Sequence, residues 1–284
     1  MFEILTKRQL AANITEMKVL APRVAASAKP GQFVIVRTGR YGERIPLTIC
    51  DYDSLEGSVT IVTQTVGIST TKINALEAGE YLDDFAGPLG NPSDLLDITA
   101  DRLKDMKILF VAGGVGTAPV YPQVKWLKEH GVSADVIIGA RTASLFTYVD
   151  EMKSVGNVYL CTDDGSQGFH GNVTMLMKDL IDNQGKHYDR CIVIGPMIMM
   201  KFATLTAREY GIPATVSLNA LMVDGTGMCG ACRVSVDGHT RFTCVDGPEF
   251  DGHKVDFDEA MRRQNMYKDN PKTNPETHKC SCHG

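Results

Sequence analysis

A cysteine-bearing loop near the C-terminal end carries the sharpest chemical pattern in the sequence. It reads Asp224-Gly-Thr-Gly-Met-Cys229-Gly-Ala-Cys232, and Cys244 follows after eleven intervening residues. Iron-sulfur clusters take thiolate ligands, and this is the plant-type ligand spacing with an aspartate in the first position. Because a carboxylate is a harder but competent iron ligand, the loop predicts a 2Fe-2S cluster held by Asp224, Cys229, Cys232 and Cys244.

Two other interpretations of this loop stay open from the residues alone. Three cysteines and one further ligand also suit a structural zinc ion. Asp224 could instead cap its own loop, while a cysteine of the C-terminal tail, Cys280 or Cys282, completes the cluster site. Glycines at 225, 227 and 230 let the backbone wrap closely around an inorganic core and aim amide N–H groups at sulfur, which suits the iron-sulfur cluster.

A second pattern, Gly113-Gly114-Val-Gly116-Thr117-Ala-Pro, follows an apolar strand and opens a helix. Glycines allow the backbone to approach a pyrophosphate, and a helix N-terminus offers N–H donors and a partial positive charge. A glycine triplet alone is weak evidence, because tight strand-to-helix turns need glycine anyway. Its position between a strand and a helix predicts a dinucleotide site.

Polar or tight-turn residues also follow two later strands, where ligands of open α/β sheets bind. Asp163 and Asp164 end one strand, and Gly195 and Pro196 end another. The two carboxylates suit an adenosine 2'-phosphate badly, which favours NAD(H) over NADP(H). Arg141 could hold such a phosphate, so the preference for NAD(H) is an expectation to be tested.

The elements that must position these loops fall into three units. Residues 1–98 contain short β-rich runs separated by turn clusters and one short helix beginning near Ser69, which predicts an antiparallel barrel. Residues 99–216 alternate strands and helices, as in a parallel doubly wound sheet. Residues 217–255 hold the cysteine loop and a hairpin, and residues 256–284 are expected to be a polar tail.

Composition excludes several classes of function. The formal net charge is -5, and no basic run interleaved with aromatic residues suggests a nucleic-acid partner. The most apolar stretch, residues 191–200, is broken by Gly195 and Pro196 and is about half of the length that spans a bilayer, so no membrane segment is expected. Eight cysteines in a chain of this kind suggest ligands, reactive thiols or core residues rather than disulfides, because the cytoplasm keeps thiols reduced.

With these patterns in place, the chain resembles the ferredoxin-reductase superfamily over roughly residues 1–255, in the branch of NADH-dependent ferredoxin:NADP oxidoreductase small subunits and dihydroorotate dehydrogenase electron-transfer subunits. The resemblance implies an FAD-binding strand at Arg44-Ile-Pro46-Leu47-Thr48-Ile. It puts Arg44 on the pyrophosphate and Pro46, Leu47 and Thr48 beside the isoalloxazine, with Thr48 tuning the flavin. A turn would hold flavin phosphate, through Gly67, Ser69, Thr70 and Thr71.

The resemblance also implies partners. An aspartate at position 224 is similar to the ferredoxin:NADP oxidoreductase small subunit, whereas the dihydroorotate dehydrogenase subunit has four cysteines. The first assignment implies a large FAD and 4Fe-4S subunit related to the glutamate synthase small subunit, ferredoxin as an indirect partner, and flavin-based electron bifurcation. The alternatives are the dihydroorotate dehydrogenase subunit, a stand-alone diaphorase and, in a different class, a zinc-stabilised nucleotide-binding regulator.

Overall fold

The computed structural model describes residues 1–266. Its first unit is a seven-stranded antiparallel sheet in the order β6-β1-β2-β5-β4-β3-β7. The two edge strands, β6 and β7, are separated by one residue in the chain and therefore lie close together, so the sheet curls into an almost closed barrel. The elements are β1 (Phe2–Ala11), β2 (Ile14–Leu20), α1 (Pro22–Ala25), β3 (Phe33–Arg37), β4 (Ile45–Asp53), β5 (Ser58–Gln64), α2 (Ile68–Asn74), β6 (Tyr81–Leu82) and β7 (Asp84–Leu89).

The second unit is a seven-stranded sheet in the order β11-β10-β9-β8-β12-β13-β16, parallel except for its last strand. The elements are α3 (Ala100–Asp105), β8 (Ile108–Gly113), α4 (Thr117–Glu129), β9 (Asp135–Ala140), α5 (Val149–Val155), β10 (Asn157–Thr162), β11 (Phe169–His170), α6 (Val173–Asp182), β12 (Arg190–Ile194), α7 (Met197–Glu209), β13 (Ala214–Ser217) and β16 (Glu249–Asp251).

Alternating residues of β8 show why this sheet carries helices on both faces. Leu109 and Val111 are buried against α6 and α7, whereas Phe110 is buried against α4 and α5. A strand that buries both faces reads as a continuous apolar run, which is how this segment appears in the sequence. The barrel, the doubly wound parallel sheet and the C-terminal module of the predicted fold class are therefore confirmed.

The C-terminal module is a loop followed by the hairpin of β14 (Arg233–Val236) and β15 (His239–Phe242). Beyond the hairpin the chain returns to the nucleotide-domain sheet as β16 and ends in α8 (Phe257–Gln264). Phe257 and Ala260 are buried in the core beneath α7, so part of the expected polar tail is a packed helix. Cys280 and Cys282 lie outside the described residues.

None of the helices within residues 1–266 combines the length and the apolar character needed to cross a bilayer.

Candidate functional site

The cysteine loop brings two of its three thiols together. The sulfur atoms of Cys232 and Cys244 are 3.2 Å apart and both side chains are buried, whereas Cys229 is exposed. Backbone N–H groups, first that of Ala231 and then that of Asp224, donate to the Cys229 sulfur and lower the pKa of this thiol. Amides aimed at sulfur in this way favour the thiolate form that a cluster requires.

Asp224 caps the loop in this structure. Its Oδ2 accepts hydrogen bonds from the backbone N–H of Thr226 at 2.8 Å and of Met228 at 3.2 Å, and from the Thr226 hydroxyl at 2.7 Å. These bonds, led by that from the Thr226 hydroxyl, lower the pKa of the carboxyl group. Ligation of iron by Asp224 therefore stays a prediction, and the capping role that was its alternative is present in the geometry.

The donor set fits a two-metal group better than one ion. Within residues 1–266, no three His, Cys, Asp or Glu side chains converge closely enough to hold a single metal ion. A 2Fe-2S cluster divides its four ligands between two irons. Cys232 with Cys244 forms one close pair of candidate ligands, and Cys229 lies beside Asp224, whose backbone N–H donates to its sulfur.

The loop packs directly on the barrel strand that neighbours the predicted flavin strand. Phe33 and Ile35 of β3 share one buried cluster with Cys232 and Cys244. Gly225 approaches β3 so closely that a Cβ atom there would lie 2.8 Å from Cγ1 of Ile35. The cluster loop and the barrel therefore form a continuous core.

Arg44 connects the same two units by hydrogen bonds. Its Nε donates to the carbonyl oxygen of Val223 at 3.2 Å, and its terminal nitrogen Nη2 donates to that of Asp224 at 3.3 Å. Asp84 of β7 lies 3.9 Å from the other terminal nitrogen. The predicted pyrophosphate-binding side chain is thus held in the seam between barrel and cluster loop.

The rest of the predicted flavin strand lies in register with β3. Thr48 pairs with Phe33, Leu47 with Val34, and Pro46 with Ile35. All three β4 residues are partly buried. The strand predicted to face the isoalloxazine is consequently adjacent to the strand on which the cluster loop packs.

The predicted phosphate turn begins α2 at Gly67. Thr70 accepts hydrogen bonds from the backbone N–H of Val66 at 2.9 Å and of Gly67 at 3.0 Å, and the Thr71 hydroxyl donates to the Gly67 carbonyl at 2.8 Å. The Ser69 hydroxyl donates to Glu43. These hydroxyls therefore stabilise the helix start in this structure, and their binding of a flavin phosphate stays a prediction.

The dinucleotide loop meets the end of β12 at the crevice of the sheet. A Cβ atom at Gly116 would overlap the Ile194 carbonyl and lie 2.8 Å from Cα of Gly195. Met199 covers both Gly113 and Gly195, so that added Cβ atoms there would also overlap its side chain. Met199 of α7 is thereby brought to the predicted nucleotide site, although it is not among the site residues predicted above.

The remaining predicted nucleotide residues line the same edge of the sheet. Thr117 is buried and its hydroxyl donates to the Gly114 carbonyl at 3.0 Å, which closes the glycine turn. Pro196 precedes the first residue of α7. Gly113 lies opposite Gly139 at the end of β9. The carboxyl ends of the neighbouring strands β8 and β12 thus form the crevice in which a doubly wound sheet binds its ligand.

Asp163 and Asp164 follow β10, two strands away from β8. Asp164 Oδ1 accepts hydrogen bonds from the hydroxyl of Ser166 at 2.6 Å and from its backbone N–H at 3.0 Å, which lower the pKa of the carboxyl group. The backbone N–H of Asp163 bonds the Ala140 carbonyl at 3.1 Å. Both acids thus end the sheet on one side of the crevice, and their role in favouring NAD(H) over NADP(H) stays a prediction.

Comparisons with known proteins identify the family. A family model described as the iron-sulfur cluster binding domain of dihydroorotate dehydrogenase B matches residues 219–256. A Thermotoga maritima protein called dihydroorotate dehydrogenase B (NAD(+)), electron transfer subunit homolog is 45% identical over 270 residues, which are 95% of this chain and 93% of that protein. This chain belongs to the family of dihydroorotate dehydrogenase B electron-transfer subunits.

Two further members of the comparison sharpen this assignment. The dihydroorotate dehydrogenase B electron transfer subunit of Fusobacterium nucleatum is 32% identical and covers 88% of this chain and 95% of its own length. A solved structure of the NADH-dependent reduced ferredoxin-NADP oxidoreductase, described in terms of flavin-based electron bifurcation, is 43% identical with a TM-score of 0.87. That match covers 94% of this chain and 93% of the solved one.

Family membership confirms several predictions made from the sequence. The chain is an oxidoreductase subunit with the ferredoxin-reductase fold, and its cofactors are FAD, a 2Fe-2S cluster and NAD(H). Electron-transfer subunits of this family work with a larger partner subunit in a complex. These relatives give no support to the alternative of a zinc-stabilised regulator.

Proposed function

We propose that this chain is the NAD(H)-linked small subunit of a ferredoxin:NADP oxidoreductase, and that it exchanges electrons with a large FAD and 4Fe-4S subunit. The observation that carries the proposal is the common core of β3 and the cluster loop, in which Ile35 meets Gly225. Two cofactors bound at β4 and at the cysteine loop would be separated by this one layer of packed residues. Such an arrangement suits transfer of single electrons between them.

The choice of partner rests on two differences within the family. The ferredoxin-NADP oxidoreductase structure is 43% identical to this chain, against 32% for the Fusobacterium dihydroorotate dehydrogenase subunit, and the Thermotoga relative at 45% is named only as a homolog of that subunit. The aspartate at position 224 also resembles the former. A large subunit related to the glutamate synthase small subunit, with ferredoxin as an indirect partner, is therefore the favoured assignment.

Bound FAD would accept electrons in pairs from NAD(H) and release them singly to the cluster. This chain's own residues would bind and orient the groups. Arg44 offers a cation where the barrel meets the cluster loop, and Thr48 offers a hydroxyl on the flavin strand. At the crevice, Gly116 allows the dinucleotide loop to pack closely on Ile194 and Gly195, and a pyrophosphate would bind at the N-terminus of α4.

The surface around the cluster loop suits a protein partner. Exposed apolar side chains lie on the cluster loop and on segments next to it, at Leu221, Val223, Met228, Val245 and Met266, and Leu221 and Met266 line one cavity with the exposed Cys229. Apolar groups grouped on a surface in this way are typical of interaction sites. The larger subunit would dock here and receive electrons from the cluster.

A reduced Cys229 also suits the cytoplasm, which we propose as the location.

The second candidate function is the electron-transfer subunit of dihydroorotate dehydrogenase. The family model that matches residues 219–256 favours it. Affinity purification of the chain from its native cell, without oxygen, separates the two candidates. A co-purifying iron-sulfur flavoprotein supports ferredoxin:NADP oxidoreductase, whereas a co-purifying FMN-containing dihydroorotate dehydrogenase subunit overturns it.

Titration of the purified complex with NADH and with NADPH tests the electron path. Visible spectra follow bleaching of the flavin, and EPR spectra follow appearance of the reduced cluster. We expect NADH at low concentration to reduce first the flavin and then the 2Fe-2S cluster of this chain. Reduction by NADPH alone at this subunit would contradict the assignment of NAD(H).

A further inference from the structure

A buried polar contact joins three parts of the chain that lie far apart in sequence. Gln123 of α4 donates through Nε2 to Oε1 of Glu249 in β16 at 2.7 Å. Ser93, in the segment that leaves the barrel after β7, has its hydroxyl 2.9 Å from Oε2 of Glu249 and 3.3 Å from Oε1 of Gln123. Ser93 and Gln123 are almost wholly buried, each with 1% of its surface exposed.

Backbone contacts show that this triad sits at a joint between the units. Asn91, near Ser93, bonds the carbonyl of Gly247 through its backbone N–H at 2.7 Å and that of Val245 through Nδ2 at 3.1 Å. The Val245–Gly247 segment follows Cys244, so it leads from the cluster loop to Glu249. A movement of Glu249 would therefore be transmitted toward both the barrel exit and the cluster ligand Cys244.

The protonation state of Glu249 decides how many hydrogen bonds the triad can form. When Glu249 is ionised, the single Ser93 proton must serve either Gln123 Oε1 or Glu249 Oε2, and one acceptor goes without it. When Glu249 is a neutral acid, it donates to Ser93, Ser93 donates to Gln123, and Gln123 donates back to Glu249. The neutral acid thus closes a ring of three hydrogen bonds, in which each donor has its own acceptor.

Two charged neighbours also shift the pKa of Glu249. Asp94 raises and Arg190 lowers the pKa of Glu249, while these two neighbours form an ion pair with each other. Burial of the carboxyl group is the largest influence, and it raises the pKa of Glu249 to about 7 against opposing hydrogen bonds from Ser93 and Gln123. The neutral and ionised forms are accordingly both populated near neutral pH.

We propose that Glu249 is a positioning residue, whose neutral carboxyl group closes the ring with Ser93 and Gln123 and fixes the cluster module and the nucleotide domain against the barrel. The inference rests on the proposed electron path. Glu249 touches neither a predicted cofactor residue nor a cysteine ligand in any hydrogen bond described above. Its influence is on the geometry in which electrons pass from flavin to cluster.

The test is a pH series of cluster reduction by NADH in the complete complex, followed by rapid mixing and visible absorbance. If only the closed ring supports fast transfer, the rate of the cluster phase in the native protein falls roughly five- to ten-fold between about pH 6 and about pH 8, as the neutral fraction falls. Glu249→Gln keeps the ring, because the amide donates to Ser93 and accepts from Gln123. This variant is expected to be fast at every pH.

Two further variants complete the design. Glu249→Ala opens the ring and is expected to be slow throughout the series, whereas Glu77→Gln changes an exposed barrel carboxylate and should keep the native pH profile. An identical profile in the native protein and Glu249→Gln, with full flavin and iron content, overturns the positioning role alone. Absence of flavin or iron from the native complex, or of flavin reduction by NADH, overturns the proposed function itself.

Discussion

Substitution of Gly225 by alanine tests whether the cluster loop is positioned by its contact with the barrel. Gly225 has φ of +84°, where an L-residue costs about 1–2 kcal/mol. The new Cβ would also lie 2.8 Å from Ile35 Cγ1 and 3.1 Å from Leu89 Cδ1, and overpacking of this kind costs about 1–3 kcal/mol. We expect Gly225→Ala to lower the free energy of unfolding by about 2–5 kcal/mol.

The same overlap would push the loop away from β3, and this should appear in kinetics. Reduction of the flavin by NADH is expected to stay unchanged, because the nucleotide crevice is not touched. Transfer from flavin to cluster should slow several-fold, since the reaction depends on the relative position of the two groups. Denaturant unfolding of the iron-loaded protein and rapid-mixing spectra measure the two effects separately.

Gly238 provides the matched control for this experiment. It lies in the hairpin turn with φ of +73°, and no heavy atom lies within 4 Å of an added Cβ. Gly238→Ala therefore carries the cost of the backbone conformation without the overlap, about 1–2 kcal/mol. If the two variants lost equal stability and both kept the native flavin-to-cluster rate, packing against Ile35 would not be what positions the loop.

Three further variants test other parts of the site. Thr48→Val should shift the flavin reduction potential and the rate of reduction by NADH, and unchanged values measured by redox titration would remove the tuning role. Gly116→Ala should raise the KM for NADH at least ten-fold without loss of FAD, because its Cβ would overlap the Ile194 carbonyl and force the turn away from Gly195. Glu249→Gln should leave the free energy of unfolding unchanged below about pH 4.5, where the carboxyl group is protonated in both the folded and the unfolded protein. Above about pH 7 the variant should be more stable than the native protein by up to about 3 kcal/mol, because the native protein loses the stability from this group as pH rises through its raised pKa. Thermal unfolding at the two ends of this pH range measures the difference.

Much of the fold could be predicted because its signals are local. The apolar runs that became β8, β9, β10 and β12 are continuous, and the helices between them carry apolar residues at helical spacing. Asn172 begins α6 by accepting hydrogen bonds from the N–H groups of Thr174 and Met175, both at 3.1 Å, as a capping residue should. The hairpin after the cysteine loop was equally clear from its turn residues.

What could not be predicted depends on contacts between distant residues. Strand β16 belongs to the nucleotide-domain sheet by pairing with β13, although the sequence assigned it to the cluster module. Helix α8 buries little more than Phe257 and Ala260, so its apolar stripe is too thin to distinguish it from a polar tail. The role of Glu249 could not be predicted from the sequence, because its hydrogen-bond partners lie 126 and 156 residues away in the chain.

The cysteine loop shows the same limit within a single motif. Ligand spacing predicted which side chains could hold iron, and the structure brings Cys232 and Cys244 together as that prediction requires. Spacing could not reveal that Asp224 accepts three hydrogen bonds from its own loop. Capping of the loop and ligation of iron use the same carboxylate. Which of the two Asp224 adopts depends on the difference in free energy between these states, and the spacing of residues does not contain that information.

The barrel and the nucleotide domain are also joined away from the Glu249 triad, and the two joints differ in kind. Arg8 of β1 bonds Glu151 of α5 at 2.6 Å, and Tyr148 donates to Glu16 of β2. Tyr148 has φ of +59°, a strained backbone conformation for a tyrosine, which this contact helps to hold. Arg8 stays cationic at any usable pH, since its hydrogen bonds to Glu16 raise its pKa further. The Arg8 joint thus contains a permanent cation, whereas the Glu249 joint contains a carboxyl group whose pKa is raised to about 7, so we expect the Glu249 joint to respond to the pH series proposed above.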